Sequence, residues 1–371
     1  MSDRPLRLLI VLPSWVGDVV MATPTIRRIR ESMPGIFIGG LCKPGIDQLV
    51  GGGDLFDELH VFQPVGMMAT KKAANKVRPR RYDTALLLTN SFSTALTTRL
   101  AFIPRRIGYD RDGRGMLLND KLTPPKNPDR SWKMVPAVDY YWNLASHLLN
   151  EAPVDWSVHT PADCVAMPLA LPDGVMMEMP ITESDQAKGD EILAKAGIAA
   201  GDRYAILNPG GNNQAKRWAA DRFARLADWL SKSHQLRVLI NGSPAESDLI
   251  DQIIHTSTTE PVSLPALGNT LGALKPICQT ASIMVTNDTG PRHIAAAMGT
   301  RLVTLFGPTD PRWTTIPVAP LSDGRPSEVV LVADPTLPAS ETANDHPERC
   351  AIGHIEESRV RDAVDFLLNA N

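Results

Sequence analysis

The chain has 371 residues, 43% of them hydrophobic, and a formal charge of −3 at pH 7. That length exceeds what one core usually supports, so two domains are expected. The slight acidity excludes a general nucleic-acid binder, which needs a dominant basic field to collect phosphates.

Four cysteines, Cys42, Cys164, Cys278 and Cys350, stand without a CxxC pair, which fits a reducing compartment. The first 24 residues do not read as a signal peptide, because Asp3, Arg4, Pro5 and Arg7 flank the apolar run and Trp15, Gly17 and Asp18 interrupt its continuation. No stretch of about 18 uninterrupted apolar residues suggests a membrane span. A cytoplasmic protein is expected, with peripheral membrane attachment left open.

The first half alternates short apolar runs with helix-like segments. LRLLIVL (6–12), IFIGGLC (36–42), ELHVFQPV (58–65) and YDTALLLTNS (82–91) read as strands. TPTIRRIRESM (23–33), a stretch near 44–50, KKAANKVRPRR (71–81) and FSTALTTRLAF (92–102) read as helices. Strands separated by helices imply right-handed crossovers and a mainly parallel sheet. Pro24 predicts that the main helix starts at Thr23 and Pro24, with VGDVVMA as a separate or kinked turn, since proline inside a helix removes a hydrogen bond.

An amphipathic stretch, 134–150, leads into a Pro-rich connector, 152–180. Alternation then restarts with strands at 204–211, 236–243, 282–288 and 301–308, a short VSLPA, and helices at 218–233, 245–257, 270–281 and near 290–298. After Pro308 some 45 residues rich in Pro, Asp and Ser precede a terminal helix, ESRVRDAVDFLLNA. Val360, Val364, Leu367 and Leu368 share a face of it, which predicts a brace on one domain or across both. The expected division is 1–180 and 181–371. In open α/β sheets ligands bind beyond the carboxyl ends of the strands, so two such domains facing each other predict a cleft with its motifs just after strands.

NPGGNNQAKRW (208–218) leaves a strand and enters a helix. Its glycines would let backbone N–H groups approach an anion beside Lys216 and Arg217, although Asn208 and Gly210 also suit a plain tight turn. VTNDTGPRHIAAAMG (285–299) repeats the arrangement. Thr289 and Gly290 would direct N–H groups at a phosphate and Asp288 would accept sugar hydroxyls, with helix capping by Asp288 or Thr289 as the alternative. His293, one turn further in, suits a ligand contact or a core histidine. In NGSPAESDL (241–249), Glu246 suits either a ribose diol or a capping box.

KKAANKVRPRR carries six basic residues and no acid, and Arg105, Arg106, Arg111 and Arg114 follow. Such a run is either a solvated face or a recruiter of an anionic acceptor. HPERCAIGH spaces His346, Cys350 and His354 by four, but Pro347 and Gly353 oppose a helix there and no fourth ligand is evident, so no metal site is expected. No GxSxG, HExxH or EF-hand pattern occurs.

Taken together, PSWVGDVVMATPTIRRIR, NPGG…AKRW, GSPAE and TNDTGPRHIAAAMG followed by LVTLFGPTDP resemble the heptosyltransferases of lipopolysaccharide inner-core synthesis, glycosyltransferase family nine. LTNSFSTAL with RRIGY is similar to the acceptor half of its heptosyltransferase II branch. The resemblance implies an α/β GT-B fold: two Rossmann-like doubly wound domains facing across a cleft, with a C-terminal bracing helix. It implies ADP-heptose as donor and an anionic lipopolysaccharide core acceptor at the membrane surface. Asp18 matches the general base of an inverting transfer, Lys216 the diphosphate-binding lysine, Glu246 the ribose-binding acid and Asp288 the acid near the donor sugar. Thr289, Gly290 and His293 match the phosphate-binding turn and helix, and Asn208 and Gly210 join the donor set. Lys71, Lys72, Arg80, Arg81, Arg105 and Arg106 are the candidate acceptor contacts. No metal or other cofactor, no nucleic-acid partner and a monomer are expected. The alternatives are a GT-B enzyme using another nucleotide sugar, whether transferase or epimerase, and a non-catalytic sugar- or nucleotide-binding protein.

Overall fold

The computed structural model describes residues 6–157, 166–338 and 340–369. The first residues of the amino-terminal stretch and residues 158–165 of the Pro-rich connector, with Cys164, lie outside the described residues. Two compact units result, one holding the described residues up to 157 together with 169–180, the other 166–168 and the described residues from 181 onward.

In the first unit the elements are β1 (Arg7–Val11), α1 (Val16–Ser32), β2 (Phe37–Cys42), α2 (Asp47–Val50), β3 (Glu58–Val61), α3 (Ala69–Val77), β4 (Thr84–Leu87), α4 (Phe92–Leu100), β5 (Arg105–Tyr109), β6 (Asp120–Leu122) and α5 (Ala137–Leu148). The second unit carries α6 (Glu183–Lys195), β7 (Tyr204–Asn208), α7 (Ala220–His234), β8 (Arg237–Ile240), α8 (Ser247–Thr256), β9 (Val262–Ser263) and α9 (Leu271–Thr280). It continues with β10 (Ile283–Asn287), α10 (Gly290–Ala297), β11 (Leu302–Phe306), β12 (Glu328–Val332) and α11 (Glu357–Leu368).

Each unit builds one six-stranded sheet, ordered β3-β2-β1-β4-β5-β6 and β12-β11-β10-β7-β8-β9. All ten strand pairings are parallel. Counted from the first strand of each unit, both sheets have the same doubly wound order, in which the chain reverses direction between β1 and β4 and again between β7 and β10. This is the GT-B class of fold, two Rossmann-like units. Because helices cover both faces, the central strands read as continuous apolar runs, and β4, β7, β10 and β11 are buried at every position.

Four elements differ from the sequence reading. β5 and β6 extend the first sheet from a stretch that carried no alternation signal, α6 opens the second unit behind a capping box at Thr182 and Asp185, and β12 lies inside the Pro-rich segment after Pro308. The terminal helix packs Val360, Val364 and Leu367 into the core of the second unit, with Leu368 against its edge. His346 pairs with Glu341 and His354 Nδ1 meets the Arg349 carbonyl; no group of side chains suited to hold a metal occurs among the described residues.

The expected break before Pro24 is corrected: α1 runs unbroken with Pro24 inside it. The carbonyl that a Pro24 N–H would have served, that of Val20, instead accepts the Thr23 hydroxyl at 2.8 Å. The same oxygen of Thr23 accepts the Glu178 N–H at 3.0 Å. Thr23 is fully buried, so a substitution that keeps its shape but removes the hydroxyl leaves the Val20 carbonyl and the partly buried Glu178 N–H without this partner. Thr23→Val is therefore expected to cost about 2 kcal/mol, measured by denaturant unfolding; a change within about 0.5 kcal/mol, the usual size of an inconsequential substitution, would show that the proline is accommodated some other way.

Candidate functional site

The first unit opens a pocket of about 500 Å³ beyond the carboxyl ends of β1 to β4, the place where a doubly wound sheet leaves a crevice between diverging connections. Leu12 to Trp15, Cys42 and Lys43, Pro64, Ala69 and Thr70, and Leu88 to Ser91 line it, and Asp18 and Tyr141 stand on its wall. Asp18 lies in the first turn of α1, where the helix dipole favours a carboxylate. The residue preceding the helix is Trp15, with no side-chain cap, so Asp18 is not the helix cap. Its carboxylate takes a hydrogen bond from the Tyr141 hydroxyl; burial, and then Asp18, push that phenol well above its ordinary value. Tyr141 thus stays a donor and orients the acid beside the pocket.

Across the pocket, the β4–α4 turn is fixed from behind by a fully buried arginine. Arg114 donates to the carbonyls of Thr89 and Tyr109 and, at 3.2 Å, to Asn90 Oδ1. Burial pushes its guanidinium down to about 10. Tyr140, stacked on Tyr109 with centroids 3.9 Å apart, also donates to Asn90 Oδ1. With that oxygen engaged twice, the Asn90 amide has a fixed orientation. Ser91 caps α4, and the Thr89 and Thr94 hydroxyls share a hydrogen bond of 2.7 Å. The pocket beside Asp18 is consequently rich in hydroxyl and amide groups, with Lys43 as the one lining cation among the described residues.

The candidate basic contacts are spread apart. Lys71 and Lys72 are exposed on α3, next to the pocket-lining Ala69, Thr70 and Ala73. Arg80 pairs with Glu58 at 2.5 Å and Arg105 with Asp120 at 2.7 Å. Arg81 takes a left-handed conformation after the short turn that ends α3. Arg106 is corrected outright as a surface contact: it is buried, and its guanidinium donates to the carbonyls of Ile103, Pro104 and Leu117. Its place at the second position of a buried strand turns it inward.

In the second unit, the turns after β7 and β10 meet at the corresponding reversal. Asn208, almost fully buried, donates to the hydroxyls of Thr286 and Thr289 at 3.0 and 2.8 Å and accepts from Asn241. Asn287 donates to the carbonyls of Pro209 and Gly210. Two asparagines thus tie the NPGG turn to the NDTG turn, and Asn208 positions Thr289 rather than facing solvent. Thr289 precedes α10 without a side-chain cap, leaving Gly290 as the first helical residue and Pro291 as the second.

Lys216 reaches across to Asp288, Nζ to Oδ2, at 3.0 Å. Burial pushes the Asp288 carboxyl up, but Lys216 and Arg292 outweigh it and hold the group below the usual carboxylate range. Arg292 is buried and forks onto Glu328 of β12 at 2.7 and 3.1 Å, where Thr304 also donates. This pair was invisible in the sequence because β12 was. His293 is buried with Nδ1 unpartnered among the described residues, and burial, then Arg292, push its ring down to about 3. It is a neutral group at physiological pH.

Glu246 realises the capping box expected as its alternative role: Oε2 accepts the Ser243 N–H and hydroxyl at 2.8 and 2.9 Å. Its Oε1 also accepts the Gly211 N–H at 2.8 Å, which fixes the NPGG turn against it. A Cβ on Gly210 would lie 2.2 Å from that oxygen, whereas one on Gly211 would meet nothing closer than 3.7 Å. Gly210→Ala is expected to cost about 1–3 kcal/mol and Gly211→Ala clearly less, read by thermal unfolding of the two variants; equal losses would mean that the close approach at Gly210 is not what selects glycine.

No helix among the described residues is long and apolar enough to cross a membrane. The family model for glycosyltransferase family 9 (heptosyltransferase) matches residues 70–326. Lipopolysaccharide heptosyltransferase 2 of Escherichia coli K12 is 27% identical over 323 residues, 83% of this chain and 85% of that protein. Lipooligosaccharide heptosyltransferase 2 of Haemophilus influenzae is 28% identical over 334 residues, 86% and 87% of the two chains. Among solved structures, a family 9 glycosyl transferase from Veillonella parvula superposes with a TM-score of 0.77 at 20% identity, covering 99% of this chain and 98% of that one. The E. coli ADP-heptose lps heptosyltransferase II does so with a TM-score of 0.75 at 23% identity, covering 98% of each. With a family match across more than half its length, on the fold and strand-end turns described above, this chain belongs to glycosyltransferase family 9 and is a glycosyltransferase.

Proposed function

We propose that the enzyme transfers a heptose from ADP-heptose to the inner core of lipopolysaccharide, with inversion at the anomeric carbon. The observation that carries the reading is Asp18: a carboxylate on the wall of a hydroxyl-rich pocket, held there by the Tyr141 hydroxyl rather than used to cap its helix. An acceptor hydroxyl in that pocket gives its proton to Asp18 as its oxygen attacks the anomeric carbon. The bond from that carbon to the diphosphate breaks, and its electron pair leaves on the phosphate oxygen as ADP departs.

Lys216 and the backbone N–H groups around Thr289 and Gly290 are assigned to the departing diphosphate, where charge develops. Asp288 keeps Lys216 beside that turn. Glu246 is assigned to the ribose and Asp288 to the donor sugar. Both carboxylates are anchored by other groups, so they present acceptor oxygens in fixed positions. His293, held neutral, lends this turn shape and a polar ring rather than a cation. A lysine and a helix start can neutralise the leaving group, so the proposed reaction uses no metal or other cofactor. The acting species is taken to be a monomer working at the cytoplasmic membrane surface, where its glycolipid acceptor resides.

Asp18→Asn is expected to lower kcat by at least a hundredfold while leaving the Kd for ADP within about twofold. Lys216→Ala is expected to weaken ADP binding and lower kcat together. Mass spectrometry of products from ADP-heptose and a purified core acceptor reads the transfer as the mass of one heptose. Wild-type turnover by Asp18→Asn removes the base assignment, and transfer only from a UDP- or GDP-sugar removes the donor.

A further inference from the structure

The segment between β3 and α3 carries an unusual combination of side chains. Met67 is fully exposed, and Val65 and Met68 are 67% and 52% exposed. Gly66, at φ 78°, turns the chain so that these side chains stand on a tight loop closed by the Ala69 N–H on the Gly66 carbonyl at 3.1 Å. The exposed Lys71 and Lys72 follow within one helical turn, and no acidic residue occurs between Glu58 and Asp83. Large apolar side chains in water are costly, and none of the described residues of the first unit covers them.

We propose that this loop and the start of α3 form a docking edge for a bilayer surface bearing anionic lipid. The apolar tip enters the boundary between headgroups and acyl chains while Lys71 and Lys72 meet the lipid phosphates, the arrangement by which interfacial segments hold to membranes without crossing them. Charge complementarity selects this occupant, since an apolar protein partner would have no use for an acid-free basic flank. The placement is consistent with the rest of the unit. Pro64 and Thr70, at the two ends of the same segment, line the pocket that holds Asp18, and Trp15, 65% exposed, stands at that pocket as well. An amphipathic indole is suited to the membrane–water interface. Docking here brings the pocket to the surface from which a lipid-linked sugar projects. That purpose rests on the glycolipid acceptor proposed above, while the binding itself does not.

The test is sedimentation of the purified protein with vesicles of phosphatidylcholine alone or with 30% phosphatidylglycerol, in the absence of any substrate. Binding to the anionic vesicles is expected, weakening at least tenfold when Met67 and Met68 are both changed to serine, and likewise for Lys71→Glu with Lys72→Glu; raised salt should weaken the wild type. Unchanged far-ultraviolet dichroism and Tm establish that the variants fold. Absence of wild-type binding, equal binding by Met67→Ser/Met68→Ser, or equal binding to neutral vesicles overturns the proposal. In a separate assay, Met67→Ser/Met68→Ser should turn over a delipidated core oligosaccharide like the wild type but act at least fivefold more slowly on acceptor embedded in anionic vesicles. Equal rates of the two proteins on embedded acceptor also overturn the docking role. Loss of wild-type transfer to the oligosaccharide with vesicle binding intact instead overturns the proposed function.

Discussion

Parallel strands joined by right-handed crossovers cannot fill a sheet in one direction alone. When the chain returns to the starting strand and continues on its other side, the connections from the two central strands diverge and leave a crevice at their carboxyl ends. This protein makes that reversal twice, between β1 and β4 and between β7 and β10. Of the candidate site residues, Thr89 and Asp288 come just after β4 and β10, Asn208 ends β7, and Asp18 lies in the helix that follows β1. The fold thereby decides where chemistry can be placed before any side chain is chosen.

The two crevices are furnished differently, and the difference lies in how charge is compensated. In the first unit one carboxylate faces a wall of hydroxyls and amides, and the buried Arg114 behind that wall spends its donors on carbonyls and Asn90. In the second, Asp288, Arg292, Glu328 and the partly exposed Lys216 form a chain of opposite charges whose first three side chains are largely buried. Isolated, any of these would be expensive to bury; linked, each supplies the counter-charge for the next. Removing Arg292 would leave the Glu328 carboxylate without its counter-charge, so this chain couples β12 at the sheet edge to the turn before α10.

Local rules held where the chain had local means to satisfy them and failed where a distant group intervened. Proline predicted a break in α1, yet the Thr23 hydroxyl fills the vacant carbonyl of Val20 and the helix continues. The basic residues between 71 and 106 looked like one patch. Folding disperses them, with Arg106 turned inward on a strand and Arg80 and Arg105 drawn to acids on neighbouring strands.

What the sequence determined by itself was the class of fold, the alternation of elements and the turns that matter, because apolar period and glycine-rich strand ends are local properties of the chain. The placement of the NPGG and NDTG turns at strand ends was legible for the same reason. Tertiary structure alone decided that Tyr141 from α5 orients Asp18, that Arg114 fixes Asn90, and that Glu328 from an unrecognised strand pairs with Arg292. These partners lie between 24 and 123 residues apart in the chain. A contact made across a core or between neighbouring strands leaves no period in the sequence, since it depends on which faces the packing brings together.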